Sequence, residues 1–143
     1  MQPAITNTPI FTQLTISSDC SEMDQVKIFL QDFLRQNDYD EAEAEDILVA
    51  VQEGVTNAII HGNNLSGTKS VRLELHLDAA RLKIVVCDNG TGFDMNSLAD
   101  PTDPENRMKS NGRGLMFIRT FMDQVMNHTN GDGHRLVMIR KRV

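Results

Sequence analysis

The chain is poor in the residues that mark disulfide scaffolds, cysteine-ligated metal sites and nucleic-acid binders. Its 143 residues include 2 cysteines and no tryptophan, and aromatic residues make up 5%. Two cysteines are too few for a disulfide framework or a cysteine-ligated metal site, and they suit a reducing compartment. The 20 acidic residues outnumber the 14 basic ones, which gives a net charge of -6. This charge opposes binding to a phosphate backbone, so we expect no direct nucleic-acid partner.

Long hydrophobic runs are also absent. No apolar stretch reaches the length of a membrane span, and residues 1–11 lack the charged start and apolar centre of a signal peptide. We therefore expect no membrane contact and a cytoplasmic protein. At 40% hydrophobic content the chain is long enough for one domain with a real core and too short for two of typical size. We assign residues 1–143 to a single domain.

Hydrophobic periodicity predicts a strand and two helices in the first half of the chain. Residues 10–17 alternate weakly and contain strand formers. Ser21 with Asp24 resembles a capping box, and the helical spacing after it predicts a helix to about Gln36. Asp40 offers an N-cap for a longer helix that ends near the sequence HGNN.

The second half indicates two hairpins separated by a loop and a helix. Alternating apolar residues predict an antiparallel hairpin at 70–88, whose second strand ends at Asp88. We interpret Cys87 in that strand as a buried thiol that acts as a small hydrophobe. Residues 94–110 are polar and aperiodic, which predicts a loop, and a helix and two strands around the sequence NGDG follow. This order predicts an α+β sandwich with helices over one sheet face and the other face exposed or used for association.

The basic C-terminal sequence RLVMIRKRV allows two interpretations. It offers a small patch for anions, but charges that flank an edge strand also prevent unwanted strand pairing. We favour the edge-strand interpretation.

A polar stripe interrupts the apolar pattern of the second helix. Glu53, Asn57 and His61 recur every four residues, a spacing that aligns side chains along one helix face. A solvated face explains most such stripes. Their chemistry also suits a site, because a carboxylate can orient a hydroxyl or a water, and an amide oxygen is a suitable ligand for Mg²⁺ that is held with phosphate oxygens.

Two glycine-rich segments follow the stripe. In DNGTGFD, residues 88–94, an aspartate at a strand end can accept from an exocyclic amine, and the glycines allow a ligand to approach the backbone. In NGRGL, residues 111–115, glycines lead directly into a helix, whose free N–H groups form an anion site. Each segment alone also has a structural explanation, as a turn or as a loop-to-helix joint.

In this order the three motifs resemble the N, G1 and G2 boxes of the GHKL ATPases, the family of histidine-kinase catalytic domains, gyrase, Hsp90 and MutL. Within that family, EGVTNAIIHGN, DNGTGFD, DPTDPEN and GRGLMFIRTFMDQV are most similar to the stand-alone anti-sigma regulatory serine/threonine kinases. The resemblance covers about residues 10–142. It implies a Bergerat-type two-layer α/β sandwich with a mixed, mostly antiparallel sheet, helices on one face and an ATP lid at about residues 94–111.

The resemblance also implies roles for single residues. Glu53 would be the general base or orienting group, Asn57 the Mg²⁺ ligand, and Asp88 the acceptor for the adenine amino group. The glycine turns would shape the pocket and wrap the phosphates, so ATP and Mg²⁺ are the implied cofactors. The implied nucleotide-binding residues are Asn57, His61, Asp88, Gly90, Gly92, Phe93, Lys109, Gly112, Arg113, Gly114 and Leu115.

The function that the resemblance implies is that of a Mg-ATP-binding anti-sigma factor and protein serine/threonine kinase. Such kinases bind a sigma factor and phosphorylate a Ser or Thr of a small STAS-type antagonist, so that partners exchange. An open sheet face or edge also leaves room for a homodimer.

One position departs from the family pattern. Many members have a Gly-x-Gly-Thr near their end whose threonine approaches the nucleotide, whereas this chain has GDGH with His134 in that place. This departure is compatible with an alternative function, a nucleotide-gated protein-binding regulator with little or no kinase activity. A third interpretation, an α+β interaction domain whose stripe and glycines are structural, must dismiss four ordered motifs at once.

Overall fold

The computed structural model describes residues 9–63, 69–89, 110–130 and 133–142, with the side chains at 61, 110–115 and 130 outside that description. A 3₁₀ turn (Cys20–Glu22) leads into the first helix, and a π turn (Ala58–Gly62) extends the second. The predicted order of helices and strands is confirmed. No helix in these four ranges is long and apolar enough to cross a membrane. In chain order the helices and strands are β1 (Ile10–Ser17), α1 (Met23–Gln36), α2 (Glu41–Asn57), β2 (Ser70–Leu77), β3 (Arg81–Asp88), α3 (Ser110–Phe121), β4 (Gln124–Asn130) and β5 (Gly133–Lys141).

The strands form one sheet in the order β1-β2-β3-β5-β4. The predicted hairpin is confirmed, and its register pairs Val71 with Asp88. All four strand pairs of the described chain are antiparallel, so the sandwich is confirmed but its sheet is not the mixed one expected. Because β5 lies between β3 and β4, the edge-strand interpretation of the basic C-terminal sequence is wrong.

Alternating side chains on the strands form the core between the sheet and the helices. On β2, the residues from Val71 to Leu77 that point toward the helices are at most 3% exposed. Burying a large apolar side chain contributes roughly 1.5–3 kcal/mol, so this core fixes the helices over one sheet face. The helix residues buried in it include Val26, Leu30 and Leu34 of α1, Ile47, Val51 and Val55 of α2, and Ile118 of α3.

The two predicted N-caps have different outcomes. Asp40 caps α2, because its side chain accepts a hydrogen bond from the backbone N–H of Glu43 at 2.7 Å. The capping box at Ser21 and Asp24 is wrong. The chain enters α1 through the 3₁₀ turn, and Asp19 caps that turn by accepting from the N–H of Ser21 at 2.9 Å.

The opposite sheet face holds a small apolar cluster and a buried carboxylate. Val85, Val137 and Ile139 are at most 5% exposed. Cys87 packs against them but is half-buried, so the expectation of a buried thiol holds only in part, although burial still raises the pKa of this thiol. Glu74 is 9% exposed on the same face, which is therefore more enclosed than the alternating sequence of β2 predicts.

Basic residues of the last strand connect it to the helices. Arg140 donates from Nε to Glu43 Oε1 at 3.2 Å, at the start of α2, and from a terminal nitrogen to the backbone oxygen of Phe121 at 2.8 Å, at the end of α3. Arg142 donates to the backbone oxygen of Asn37 at 3.0 Å. These contacts replace edge protection as the explanation for the basic C-terminal sequence.

Candidate functional site

Asp88 ends β3 at a point where three elements meet. Its side chain is 0% exposed, and the residue pairs with Val71 on β2 and with His134 on β5. The π turn lies against the same carboxylate, because a Cβ placed on Gly62 would be 2.3 Å from Asp88 Oδ2. The predicted adenine acceptor is therefore enclosed between the end of α2 and the sheet.

A buried histidine contacts this carboxylate. His134 is 1% exposed, and its Nδ1 lies 3.2 Å from Asp88 Oδ2. Its Nε2 is hydrogen-bonded to Oδ1 of Asn127 on β4. A buried carboxylate requires hydrogen-bond partners, so His134 joins the candidate site. In the sequence it stands out only as a departure from the family pattern.

Gly133 allows β5 to approach the end of β3 closely. Its φ is +150°, and an added Cβ would lie 2.1 Å from the backbone oxygen of Asp88. Both the dihedral angle and the distance require glycine. Asp88 is thus bounded by Gly62 at its side chain and by Gly133 at its backbone.

Asn63 connects the end of the π turn to both strands of the first hairpin. It is 0% exposed, its Nδ2 donates to the backbone oxygen of Ser70, and its Oδ1 accepts from the backbone N–H of Asn89, each at 3.0 Å. Asn89 also accepts from the backbone N–H of Ser70 at 3.1 Å. Asn63 was not among the residues predicted for the site, although an asparagine directly after a glycine at a helix end is a capping signal.

The predicted catalytic and metal-binding residues lie one turn apart near the end of α2. Asn57 is 4% exposed, and Glu53 is half-buried. The alternative of a solvated stripe does not fit this burial. Desolvation raises the pKa of the Glu53 carboxyl above its ordinary value, toward the range that suits a general base at neutral pH.

The polar stripe does not continue with α-helical spacing beyond Asn57. The chain forms a π turn at Ala58–Gly62, in which the backbone N–H of Asn63 donates to the backbone oxygen of Ala58 at 2.9 Å. A π turn adds a residue to the helical step, so the four-residue alignment predicted for His61 does not apply. The side chain of His61 lies outside the described residues.

The glycines of the third motif lie inside α3 rather than before it. Because α3 begins at Ser110, Gly112 and Gly114 belong to its first turns, as do the last residues of the predicted lid. Glycine lowers helix propensity without preventing a helix that tertiary packing stabilises. The first N–H groups of a helix have no partner inside the helix, so the N-terminus of α3 is still where an anion site is expected.

The direction of α3 follows from the contacts of Arg140. This residue joins the start of α2 to the end of α3 at one end of the sheet. Since the two helices pack against each other, they run in opposite directions. The first turns of α3 are therefore directed toward the end of α2 that holds Asn57, the end at which Asp88 lies.

Several predicted contacts lie outside the described residues. They are Gly90, Gly92, Phe93 and Lys109, residues 94–109 of the predicted lid, and the side chains of Arg113 and Leu115. These stay predictions. A cavity of about 300 Å³ opens at the end of the sheet that holds Asp88. Asp88, Asn89 and His134 line it together with Arg72, Cys87 and Arg135, which lie on the sheet face away from the helices.

The residues present fit a magnesium ion that is bound mainly through phosphate. In the part of the chain that the structure describes, no group of three or more His, Cys, Asp or Glu residues could hold a metal ion. Mg²⁺ that is bound with a nucleotide needs only one or two protein oxygens besides phosphates and waters. The amide oxygen of Asn57, one turn from the Glu53 carboxylate, meets this requirement.

Comparisons with known sequences agree with this geometry. Residues 16–140 match the family described as "Histidine kinase-like ATPase domain". A protein of Halalkalibacterium halodurans named serine-protein kinase RsbW is 30% identical over 82% of this chain and 75% of its own length. The anti-sigma F factor of Clostridium perfringens is 32% identical over 80% of this chain and 84% of its own length.

Solved structures show the same fold. The structure of the RsbU and RsbW domains of a Mycobacterium tuberculosis protein matches 92% of this chain with a TM-score of 0.67 and 16% identity, although the match spans 32% of that longer chain. A mycobacterial sensor histidine kinase, MprB, matches 92% of this chain and 97% of its own with a TM-score of 0.53 and 12% identity. At these identities the likeness concerns the fold alone.

Proposed function

The chain belongs to the histidine kinase-like ATPase domain family, and from this premise we propose that it is a Mg-ATP-binding anti-sigma factor and protein serine/threonine kinase. Its protein substrate is a small STAS-type antagonist, and its other partner is a sigma factor. One observation carries the proposal. Asp88, the buried end of α2 and the first turns of α3 are directed to the same end of the sheet.

Each part of this arrangement has a separate task in phosphoryl transfer. Asp88 accepts from the exocyclic amine of adenine, and the N-terminal N–H groups of α3 bind phosphate at the positive end of the helix dipole. The Asn57 amide oxygen would hold Mg²⁺, which would supply positive charge to neutralise the phosphates. Glu53 accepts the proton of the attacking hydroxyl, whose oxygen bonds to the γ-phosphorus while the bond to the β,γ-bridging oxygen breaks and ADP leaves with the electron pair.

The names of the relatives support both halves of the proposal. One is named a serine-protein kinase and another an anti-sigma F factor, and each aligns with at least 80% of this chain. The proposal implies a cytoplasmic location, because sigma factors act there.

A labelling experiment tests the kinase activity. The purified protein is incubated with ATP radiolabelled on its γ-phosphate and with an extract of its host, and labelled proteins are analysed for phosphoserine and phosphothreonine. We expect one small labelled protein, whose label disappears with Glu53→Gln while ATP binding persists. Glu45→Gln, an exposed carboxylate on the same helix, is the matched control and should leave the label intact.

The same experiment separates the alternatives. ATP-dependent capture of a sigma factor without any phosphoprotein would favour the nucleotide-gated regulator over the kinase. Label that persists in Glu53→Gln would remove Glu53 from the mechanism. Failure to bind ATP at all would reject the nucleotide site itself.

A further inference from the structure

Three side chains from three neighbouring strands form a polar row beside the proposed nucleotide site. Asp88 of β3, His134 of β5 and Asn127 of β4 are linked through the two nitrogens of the imidazole. The Asp88 and His134 side chains are 0% and 1% exposed. The row therefore connects the proposed adenine acceptor to the edge strand of the sheet.

The two contacts of the imidazole determine which atom donates to Asp88. A carboxylate accepts, so Nδ1 must carry a proton to make the 3.2 Å contact with Oδ2. With that proton in place, the ring is either cationic, with Nε2–H donating to Asn127 Oδ1, or neutral, with Nε2 accepting from the amide nitrogen after a flip of the Asn127 amide. In both states Asn127 holds the ring so that Nδ1–H is directed at Asp88.

We propose that His134 is a positioning residue that fixes the Asp88 carboxylate as a hydrogen-bond acceptor and thereby makes the site selective for purine nucleotides with an amino group at position six. The inference rests on the proposed function, in which Asp88 contacts adenine. It adds a residue that determines which base is accepted.

Two constraints on the carboxylate support this role. On one side the backbone of Gly62 lies so close to Oδ2 that even a methyl group would not fit. On the other, the Nδ1–H of His134 fixes the rotation of the carboxylate about its last bond, and so the direction of both oxygens. A site that is built to accept a substrate N–H discriminates strongly against an analogue with an acceptor in that position.

Substitutions that retain one nitrogen of the ring at a time test the proposal. The amide nitrogen of asparagine occupies nearly the place of Nδ1, whereas that of glutamine occupies nearly the place of Nε2. His134→Asn therefore keeps a donor toward Asp88, and His134→Gln keeps only the contact with Asn127. His128→Asn, an exposed histidine on β4, is the matched control.

The measurement is the ratio of dissociation constants for inosine triphosphate and ATP, with Mg²⁺, for each folded variant. We expect the wild type, His128→Asn and His134→Asn to prefer ATP, and the preference of His134→Gln to fall by roughly tenfold, the effect of losing one hydrogen bond to a charged group. Asn127→Ala keeps the imidazole of His134 but removes its contact with Asn127, and this variant should also have a lower ratio than the wild type. If packing alone mattered, glutamine would be the better replacement because its volume is closer to that of histidine.

Each contrary outcome has a separate meaning. An ATP preference that survives in both His134→Gln and Asn127→Ala would overturn the role of His134 and leave the proposed function standing. An equal loss in His134→Asn and His134→Gln would also overturn it. A wild-type protein that binds neither nucleotide, or both equally, would overturn the adenine contact of Asp88 and this inference with it.

Discussion

At the scale of single residues, Glu53 places a carboxylate where burial opposes its ionised form. Its pKa is raised by desolvation, so between the ordinary pKa of glutamate and the raised one the folded state binds more protons than the unfolded state. The free energy of unfolding therefore decreases as pH rises through that interval. Below the interval the carboxyl is protonated in both states, so the cost of burying its charge is absent. We expect Glu53→Gln to abolish phosphotransfer and to raise the melting temperature at neutral pH, because glutamine removes the desolvated charge.

Thermal unfolding of both proteins at about pH 5 and about pH 7.5 measures this effect. The stability gain of Glu53→Gln should be larger at the higher pH. Glu45→Gln, on an exposed part of α2, should show no such difference. A gain that is constant with pH, or a loss at neutral pH, would show that the Glu53 carboxylate is not destabilised by burial.

Gly62 offers a second prediction at this scale, with Gly54 as its control. Gly62→Ala would place a methyl group 2.3 Å from the buried carboxylate of Asp88, whereas the Cβ of Gly54→Ala would meet the flexible ends of Leu136 at 3.2 Å and Met138 at 3.3 Å. We expect Gly62→Ala to cost about 1–3 kcal/mol of stability, as overpacking does, and to weaken ATP binding at least tenfold. Gly54→Ala should change stability by less than about 1 kcal/mol, because alanine favours the helix.

Urea unfolding and ATP titration of the two variants test this pair. Comparable losses in both would indicate that the glycines matter for helix packing in general rather than for Asp88. Retention of full ATP affinity by a folded Gly62→Ala protein would contradict the enclosed geometry of the carboxylate.

At the scale of helices and strands, Arg140 acts as a connection between α2, α3 and β5. Its guanidinium binds Glu43 and the backbone oxygen of Phe121, and the Arg140 side chain is 21% exposed, so solvent screens these contacts only in part. We expect Arg140→Met to lower the free energy of unfolding by about 1–3 kcal/mol, through the lost charged hydrogen bonds. Arg81→Met, at an exposed strand start, should change it by less than about 0.5 kcal/mol.

Equilibrium urea unfolding provides both values. ATP affinity of Arg140→Met, measured in parallel, should fall as well, since α3 is then less firmly directed toward Asn57. Equal stability of the two arginine variants would reject the connecting role.

Elements with a strong periodic pattern could be predicted from the sequence, and their long-range pairing could not. The alternation of β2 and the Asp40 cap depend on neighbours in the chain, and both were predicted. The position of β5 inside the sheet depends on which strands it pairs with. The basic residues predicted an edge strand, and this was wrong because arginine also occurs where it forms ion pairs with other elements. The predicted α1 cap was wrong for a local reason, because Ser21 lies inside the 3₁₀ turn that Asp19 caps.

The candidate site shows the same division. Glu53, Asn57 and Asp88 were selected from the sequence because their residue types suit a known chemistry at a motif spacing, and their roles stay predictions. The role of His134 depends on its register opposite Asp88, which is fixed only when β3 and β5 pair. The π turn was not predicted. It brings Gly62 against the Asp88 carboxylate, and local periodicity does not reveal such a contact between residues far apart in sequence.

At the scale of the whole molecule, the site joins parts that are far apart in the chain, so a bound nucleotide should stabilise the complete fold. Asp88 ends a strand, Asn57 ends α2, and the α3 N-terminus is directed to the same place. A ligand that binds only the folded state at 100 times its dissociation constant stabilises it by about 2.7 kcal/mol. For a chain of 143 residues this corresponds to a rise in melting temperature of roughly 8–10 °C.

Differential scanning calorimetry with saturating Mg-ATP measures this rise, with each variant compared to its own nucleotide-free form. Asp88→Asn should lose most of the shift, because an amide nitrogen directed at the adenine amino group removes the acceptor. His128→Asn, outside the polar row, should keep it. Since the unfolding of a single domain of this size is expected to be cooperative, one transition should move as a unit; a shift confined to part of the transition would mean that the nucleotide binds a subregion rather than the joined site.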